Sequence, residues 1–459
     1  MDPVEARDEW EYDNFVKIEW LDIFGTMVAA IIVLFIAFLY KNKKLGKDPA
    51  YKFYMPGLGA KIFGAMVYCS IYLFYYGYGD TIAYFESTNA MANLFYQDPN
   101  KYLEVMISEP SIEIRSLFSD KTGYPYGYMF YDPHTFMVIK LTSILTVLTG
   151  KSYFLTSLLL GCASYYGSWK LFLMFRQYAP EIENKLAWAV LYFPSPLFWG
   201  GGVSKDTYTL AATGLFVYCA HEFFILKRRK TITVILLLFT SWLILTIKPY
   251  IFLVLFPGGL FWIFYQQLQR IKSPFVTFFL FPILIVGVSL LSYYVLGSLS
   301  GSMSKFSVDK AFETAASTNH DLKQEYYGGS SFDIGDYDGT AAGMLPLFFP
   351  AINAGLFRPF LWEGRSVVLF VAALENAFLL GFTLYILYHT RVKGTFKIIA
   401  RNPLLLFCIT FSVLFAFMIG LTTSNFGALV RFKIPIIPFF IATLFIIDYI
   451  RKIKPKEIF

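Results

Sequence analysis

The chain has 459 residues, 56% of them hydrophobic, 20% aromatic and only 15% charged, with a formal net charge of +7. Soluble domains carry about 25% charged residues, so this composition excludes an ordinary soluble globular protein and points to lipid. The positive balance does not indicate nucleic acid, because the Lys and Arg residues gather in a few loops, as they do on one side of a membrane.

In chain order, the first 20 residues are mainly acidic (Asp2, Glu5, Asp8, Glu9, Glu11, Asp13, Glu19, against Arg7 and Lys17). A cleavable signal peptide starts with a basic region, so none is expected. Apolar runs then recur near Asp22–Tyr40, Ile62–Tyr78, Tyr153–Phe175, Leu186–Trp199, Asp206–Leu226, Ile232–Ile247, Pro249–Gln266, Pro274–Leu296, Ser366–His389, Pro403–Leu421 and Ile434–Ile450. Runs of about 20 residues cross a hydrocarbon core of roughly 30 Å. The expectation is an all-α, polytopic membrane protein with about eleven spans. It forms one membrane-embedded domain over residues 1–459, without internal repeats.

Basic residues in short loops set the orientation. Lys41, Lys43, Lys44, Lys47, Lys52 and Lys61 form one cluster and Lys227 to Lys230 a second. Arg270 with Lys272, then Arg391, Lys393, Lys397 and Arg401, then Arg451, Lys452, Lys454 and Lys456 follow. All are expected on the cytoplasmic side, which leaves the N-terminus outside. Parity then requires that the apolar Thr135–Gly150 stretch lie in the outer interface rather than cross, with Lys140 snorkelling. Two large outer loops result, about 79–152 and 297–365, each with interfacial helices. In the first, Ala83 to Tyr96 reads as amphipathic, with Phe85, Leu94 and Phe95 toward lipid and Glu86, Asn89 and Asn93 toward water. Tyr124-Pro125-Tyr126-Gly127-Tyr128 is a turn-rich aromatic strip. In the second, Ser298–Ser304 and Gly328–Gly339 are loop-forming, and Met344–Phe357 is apolar but Pro-broken, so it re-enters the interface.

The cysteines (Cys69, Cys162, Cys219, Cys408) lie singly in apolar stretches, and the four histidines are scattered. Neither a disulfide framework nor a zinc motif is expected. Gly200-Gly201-Gly202 lacks the strand and Gly-Lys-Ser of a phosphate loop and reads as a tight turn with close backbone approach.

The chemistry-bearing residues lie on the expected outer boundary. They are Asp80, Tyr84 and Glu86, then Lys205 and Asp206, then Lys248, then Arg358 and Glu363, then Asn425 and Arg431. A carboxylate where a helix emerges suits a catalytic base, although Asp80 could equally cap the next helix. Cations are disfavoured on the outer side, so Lys205, Lys248, Arg358 and Arg431 suggest a site for a phosphorylated, membrane-borne anion. Pairing with Asp206, Glu363 and Glu375, or with lipid head groups, is the plainer alternative. Glu375, near mid-span, reads as a hydrogen bond to a neighbouring helix or as a proton relay, and Glu222 as a charge pair at the inner interface.

These residues, in this order, resemble polytopic bacterial glycosyltransferases of the GT-C superfamily and related membrane proteins of cell-envelope polysaccharide synthesis. The likeness rests on Asp80 with Tyr84, on Pro194 and Pro196 leading to Lys205-Asp206, on Arg358-Pro359 with Glu363, and on Asn425-x-Gly427 with Arg431. It implies sugar transfer from a polyprenyl-phosphate-linked donor at the outer face of a bacterial inner membrane. Asp80 would be the general base and the four cations would hold phosphate. The acceptor would be a glycan, a lipid or a protein. The chain departs from that pattern by an extra span before Asp80, by lacking a paired carboxylate at Asp80, and by lacking a large C-terminal soluble domain. The missing pair leaves a divalent metal an open question. Two other readings stand beside this one: a polymerase or ligase acting on lipid-linked glycans, and a non-enzymatic transporter or assembly subunit.

Overall fold

The computed structural model of the chain describes residues 18–453 apart from 229, 272–273, 300–310, 325–329, 336 and 338. The acidic stretch up to residue 17, Ser300–Ser304, Gly328–Gly329, Arg229, Lys272, Lys454 and Lys456 lie outside the described residues. The described residues are helical, without a strand beyond two isolated bridges, Ser119 with Gly123 and Ser331 with Asn425.

The chain is an integral membrane protein. Among the described residues, six helices are long and apolar enough to cross: Asp22–Leu45, Pro49–Tyr76, Pro249–Leu268, Leu280–Ser298, Val367–Thr390 and Pro403–Thr422. Two bent pairs raise the number to eight if each is one span: Pro133–Leu148 with Tyr153–Tyr178 at 116°, and Phe426–Phe432 with Ile437–Ile453 at 64°. Eleven were expected from apolar runs alone, and backbone breaks account for much of the difference. Leu186–Trp199 is not one helix, because Phe193 is extended (φ −68°, ψ 128°) before Pro194. A residue preceding proline is pushed out of the helical region, so the run is cut there. Thr231–Ile247 has 17 residues, which at 1.5 Å per residue reach only about 26 Å.

Packing divides the chain into two compact units. The first comprises Met1–Gly167, Leu197–Ala211 and Thr246–Lys248. The second comprises Ser168–Pro196, Ala212–Leu245 and Pro249–Phe459.

In the first unit the Asp80–Gln97 helix packs against the Pro133–Leu148 helix. This corrects the amphipathic expectation. Phe85 and Leu94 are 1% and 2% exposed, so they face protein rather than lipid. Helical periodicity marks an apolar face but not what covers it. A small hydroxyl pair seals the contact, Thr146 Oγ1 donating to Thr88 Oγ1 at 2.9 Å, and from the following Pro99–Ile107 helix the Tyr102 hydroxyl meets that of Ser143 at 3.0 Å. Lys140 does not snorkel either, since it is buried and donates to the Ser108 carbonyl. The Gly200–Gly202 turn makes the close approach expected of it. A Cβ on Gly201 would stand 2.7 Å from Ala65 Cα, inside van der Waals contact.

In the second unit the Pro249–Leu268 and Phe348–Phe357 helices both pack on Pro403–Thr422. Trp262 stacks on Phe407 at 5.0 Å, and Phe348 meets Phe417 at 5.1 Å. Part of the segment 297–365 fastens over the end of Pro403–Thr422. Tyr337 Oη and Asn319 Nδ2 both donate to the Leu421 carbonyl, at 2.9 and 2.7 Å. Phe332 N donates to Ser424 O at 2.7 Å and Phe426 N to Ser330 O at 3.0 Å.

Candidate functional site

The first unit brings together charged residues from four distant segments, and each is placed by a helix start. The turn before Asp80 needs Gly79, whose φ of 128° is a region that L side chains rarely adopt. A Cβ there would also lie 2.7 Å from the Tyr72 ring. The chain therefore reverses, and a helix begins at Asp80, which is exposed in its first turn. A carboxylate there is favoured by the positive end of the helix dipole.

Asp132 caps the Pro133–Leu148 helix. Its Oδ1 accepts from His134 N at 3.0 Å, and its Oδ2 accepts from Thr135 Oγ1 at 2.6 Å. Proline at the first helical position costs no hydrogen bond, so Asp132-Pro133 is a strong helix start. The same Oδ2 receives Lys205 Nζ at 3.1 Å. Lys205 opens the next helix, directly after the glycine turn. Its neighbour Asp206 receives Lys248 Nζ at 2.5 Å, with side-chain exposures of only 1% and 4%. His134 Nδ1 lies 2.8 Å from the Thr246 carbonyl and ties the Lys248 segment to the Asp132 cap.

Asp80 and Lys248 both act electrostatically on Lys205. Lys205 precedes the apolar run of its helix. Burial holds its proton affinity below that of an ordinary lysine, while Asp132 and Asp80 raise it and Lys248 lowers it further. Three carboxylates (Asp80, Asp132, Asp206) against two ammonium groups (Lys205, Lys248) give a formal sum of −1. Helix starts at Asp80, Pro133 and Lys205 add partial positive charge of about half a unit each. Of the two lysines, only Lys205 keeps appreciable access to solvent, with a side chain 19% exposed. Lys248 is locked to a buried partner.

Among the other residues singled out in the first unit, Tyr84 is buried at 5% exposure. Glu86 is half-buried and accepts from Tyr126 Oη at 2.5 Å. Burial pushes its carboxyl up to about 7, with the Tyr126 hydrogen bond acting in the other direction.

The remaining residues belong to the second unit. Arg358 is clasped by Glu363, whose Oε1 and Oε2 take Nε at 3.1 and 3.2 Å and whose Oε1 takes Nη2 at 2.5 Å. Its guanidinium lies over the Phe332 and Phe426 rings, 4.5 and 5.2 Å from their centroids. Asn425 caps the short Phe426–Phe432 helix, accepting from Gly427 N at 2.8 Å and Ala428 N at 3.3 Å. Arg431 lies half-buried in the last turn of that helix. Glu375 accepts from both the backbone N and the hydroxyl of Ser195, the neighbouring-helix bond expected of it. Glu222 meets Arg228 at 3.5 Å.

Two features went unread in the sequence. Asp132 was not singled out, although Asp-Pro before an apolar run is a helix-start signal. Lys433 is 1% exposed, donating to Asn376 Oδ1 at 2.5 Å and to the Arg358 carbonyl at 3.0 Å. Asn376 Nδ2 in turn donates to the Pro359 carbonyl at 3.1 Å, so this pair holds the Arg358-Pro359 backbone. Nothing in the local sequence distinguishes Lys433 or Asn376. Among the described residues, no group of three or more His, Cys, Asp or Glu side chains could hold a metal ion. No protein family, curated protein or solved structure matches the chain.

Proposed function

We propose that the chain is a membrane glycosyltransferase that moves a sugar from a polyprenyl-phosphate-linked donor to an acceptor hydroxyl at the outer face of a bacterial inner membrane. The observation that carries this reading is the Lys205–Asp132 ion pair at two helix starts of the first unit, with the Asp80 charge acting on Lys205 and a buried Lys248–Asp206 pair next to Lys205 in sequence. Such a transfer needs a base for the acceptor hydroxyl and a cation for the departing phosphate. Asp80, exposed at its helix start, is the base. The acceptor oxygen bonds to the anomeric carbon of the donor sugar, and its proton passes to the Asp80 carboxylate. The bond between that carbon and the phosphate oxygen breaks, and the electron pair leaves with the polyprenyl phosphate. Lys205, released from Asp132, meets the phosphate charge. Asp206 and Lys248 hold the Lys205 helix in place rather than touching substrate.

The test is release of polyprenyl phosphate from a panel of polyprenyl-phosphate hexoses by the protein in lipid. Asp80→Asn keeps the shape but cannot take a proton, and turnover is expected to fall roughly 10²–10⁴-fold. Lys205→Met should lower turnover more than Lys205→Arg. Full turnover in a well-folded Asp80→Asn variant would return Asp80 to the role of a helix-start residue and remove the mechanism.

A further inference from the structure

The ten-residue helix Val392–Arg401 joins Val367–Thr390 to Pro403–Thr422, two of the helices long and apolar enough to cross. A connector this short between two crossing helices stays at the membrane boundary. At about 100° per residue its side chains fall into three sectors. Gly394, Thr395, Ile398 and Ile399 are buried, and the helix packs on Val367–Thr390, Pro403–Thr422 and Ile437–Ile453. Val392, Phe396 and Ala400, four residues apart, form an exposed apolar stripe, the first two 55% and 68% exposed. Lys393, Lys397 and Arg401, again four apart, form an exposed basic stripe beside it. Like charges at that spacing repel one another. On the helices packed against it, no carboxylate offsets the repulsion. Pro403–Thr422 carries none, mid-span Glu375 is held by Ser195, and Asp448 is taken by Arg451 and Lys452 at 2.7 Å each. The helix is nonetheless braced. Tyr265 Oη donates to the Ala400 carbonyl at 2.7 Å and Gln269 Nε2 to the Arg401 carbonyl at 3.1 Å. Arg270, next after Gln269, brings a further exposed cation to this end of the second unit.

We propose that Val392–Arg401 is a binding site for anionic phospholipid. The helix lies in the plane of the membrane, with Val392 and Phe396 among the acyl chains and Lys393, Lys397 and Arg401 on the head-group phosphates. Charge complementarity selects an anion, since three cations stand in one row without a carboxylate among them. The adjoining apolar stripe selects a lipid. A row of ammonium groups in register with a row of apolar side chains matches phosphates above and tails below. An acidic soluble partner would match only the cations. The general excess of basic residues in loops on one side of a membrane requires no such register. The site is independent of the transfer reaction proposed above, whose residues belong to the first unit.

The test uses the full chain in vesicles of phosphatidylcholine with a minor share, one part in five, of phosphatidylglycerol. A bimane on Ala400→Cys reports the lipid beside the helix through quenching by brominated acyl chains. Cys162→Ala removes the native thiol that is not fully buried. Brominated phosphatidylglycerol should quench as if its local abundance were roughly fivefold or more above its bulk share, the factor that one cation near an anionic surface supplies. Replacing Lys393, Lys397 and Arg401 together by Gln should return the quenching to the bulk share, while Lys393→Arg with Lys397→Arg should retain the enrichment. Inorganic phosphate should not displace the lipid beyond the effect of chloride at equal ionic strength. Quenching in proportion to bulk share in the parent chain overturns the proposal, whether or not the Gln variant folds. A bimane quenched by neither brominated lipid does so too, because it puts the helix in water, where an acidic protein could cover it. Enrichment that survives the Gln replacements takes the site away from these cations, and displacement by phosphate makes it a free-anion site; either result also overturns the proposal.

Discussion

The Lys248–Asp206 pair is where removal of a single charge should be felt most. At 2.5 Å and an effective dielectric near 20, the gross attraction is about 7 kcal/mol. Both side chains are at most 4% exposed, and the desolvation of two ions, several kcal/mol each, cancels most of that gain. The pair is then close to neutral for stability, but half of it is not. Lys248→Met strands the Asp206 carboxylate and should cost about 3–5 kcal/mol, and Asp206→Leu should cost a similar amount. The double variant Lys248→Met with Asp206→Leu should recover most of the loss, because apolar groups replace a buried pair almost without penalty. The buried thiols of Cys69, Cys219 and Cys408 provide the assay, since a thiol-reactive fluorophore reports their exposure as purified protein is heated in detergent. A Lys248→Met variant within about 0.5 kcal/mol of the parent, the scale of an ordinary surface change, would refute the reasoning. So would a double variant as unstable as the sum of the two single ones.

Two further outcomes are expected. The Glu86 carboxyl is raised to about 7 in the folded chain, against an ordinary value near 4.5. Between those values the folded state holds a proton that the unfolded state has lost, so stability should fall as pH rises from about 4.5 to 7 and level off above. Unfolding midpoints between pH 4 and 8 should show that fall, and Glu86→Gln should flatten it; an unchanged slope would contradict the assignment. For topology, a cysteine in place of Lys227 should be labelled only from the cytoplasmic side, as the basic-loop pattern requires. Labelling from outside intact cells would reverse the orientation and remove the outer-face reading.

The sequence spoke most clearly where local chemistry dictates the backbone. The triple glycine before Lys205 marked a tight turn with close backbone approach, and it opens a site helix. The bond from Glu375 to a neighbouring helix was also legible, because a mid-span carboxylate must find a donor. What failed to show was which element covers which. Phe85 and Leu94 had the spacing of a lipid-facing stripe, yet the Pro133–Leu148 helix lies over them. Lys140 looked like a snorkelling residue until the Ser108 carbonyl came within reach. Lys205, Lys248 and Arg358 have carboxylate partners in Asp132, Asp206 and Glu363, and two of those three pairs follow the plainer reading of the sequence. Asp132 was the exception, since it became visible as a partner only when tertiary contact brought it 73 residues along the chain to Lys205.

The site in the first unit is tested most directly by a density map of the protein with a bound polyprenyl phosphate. The phosphate should lie within hydrogen-bond distance, about 3 Å, of Lys205 Nζ, with that ammonium turned away from Asp132 and Asp80 left open toward the sugar side. Phosphate density held elsewhere, with the Lys205–Asp132 pair intact, would contradict it.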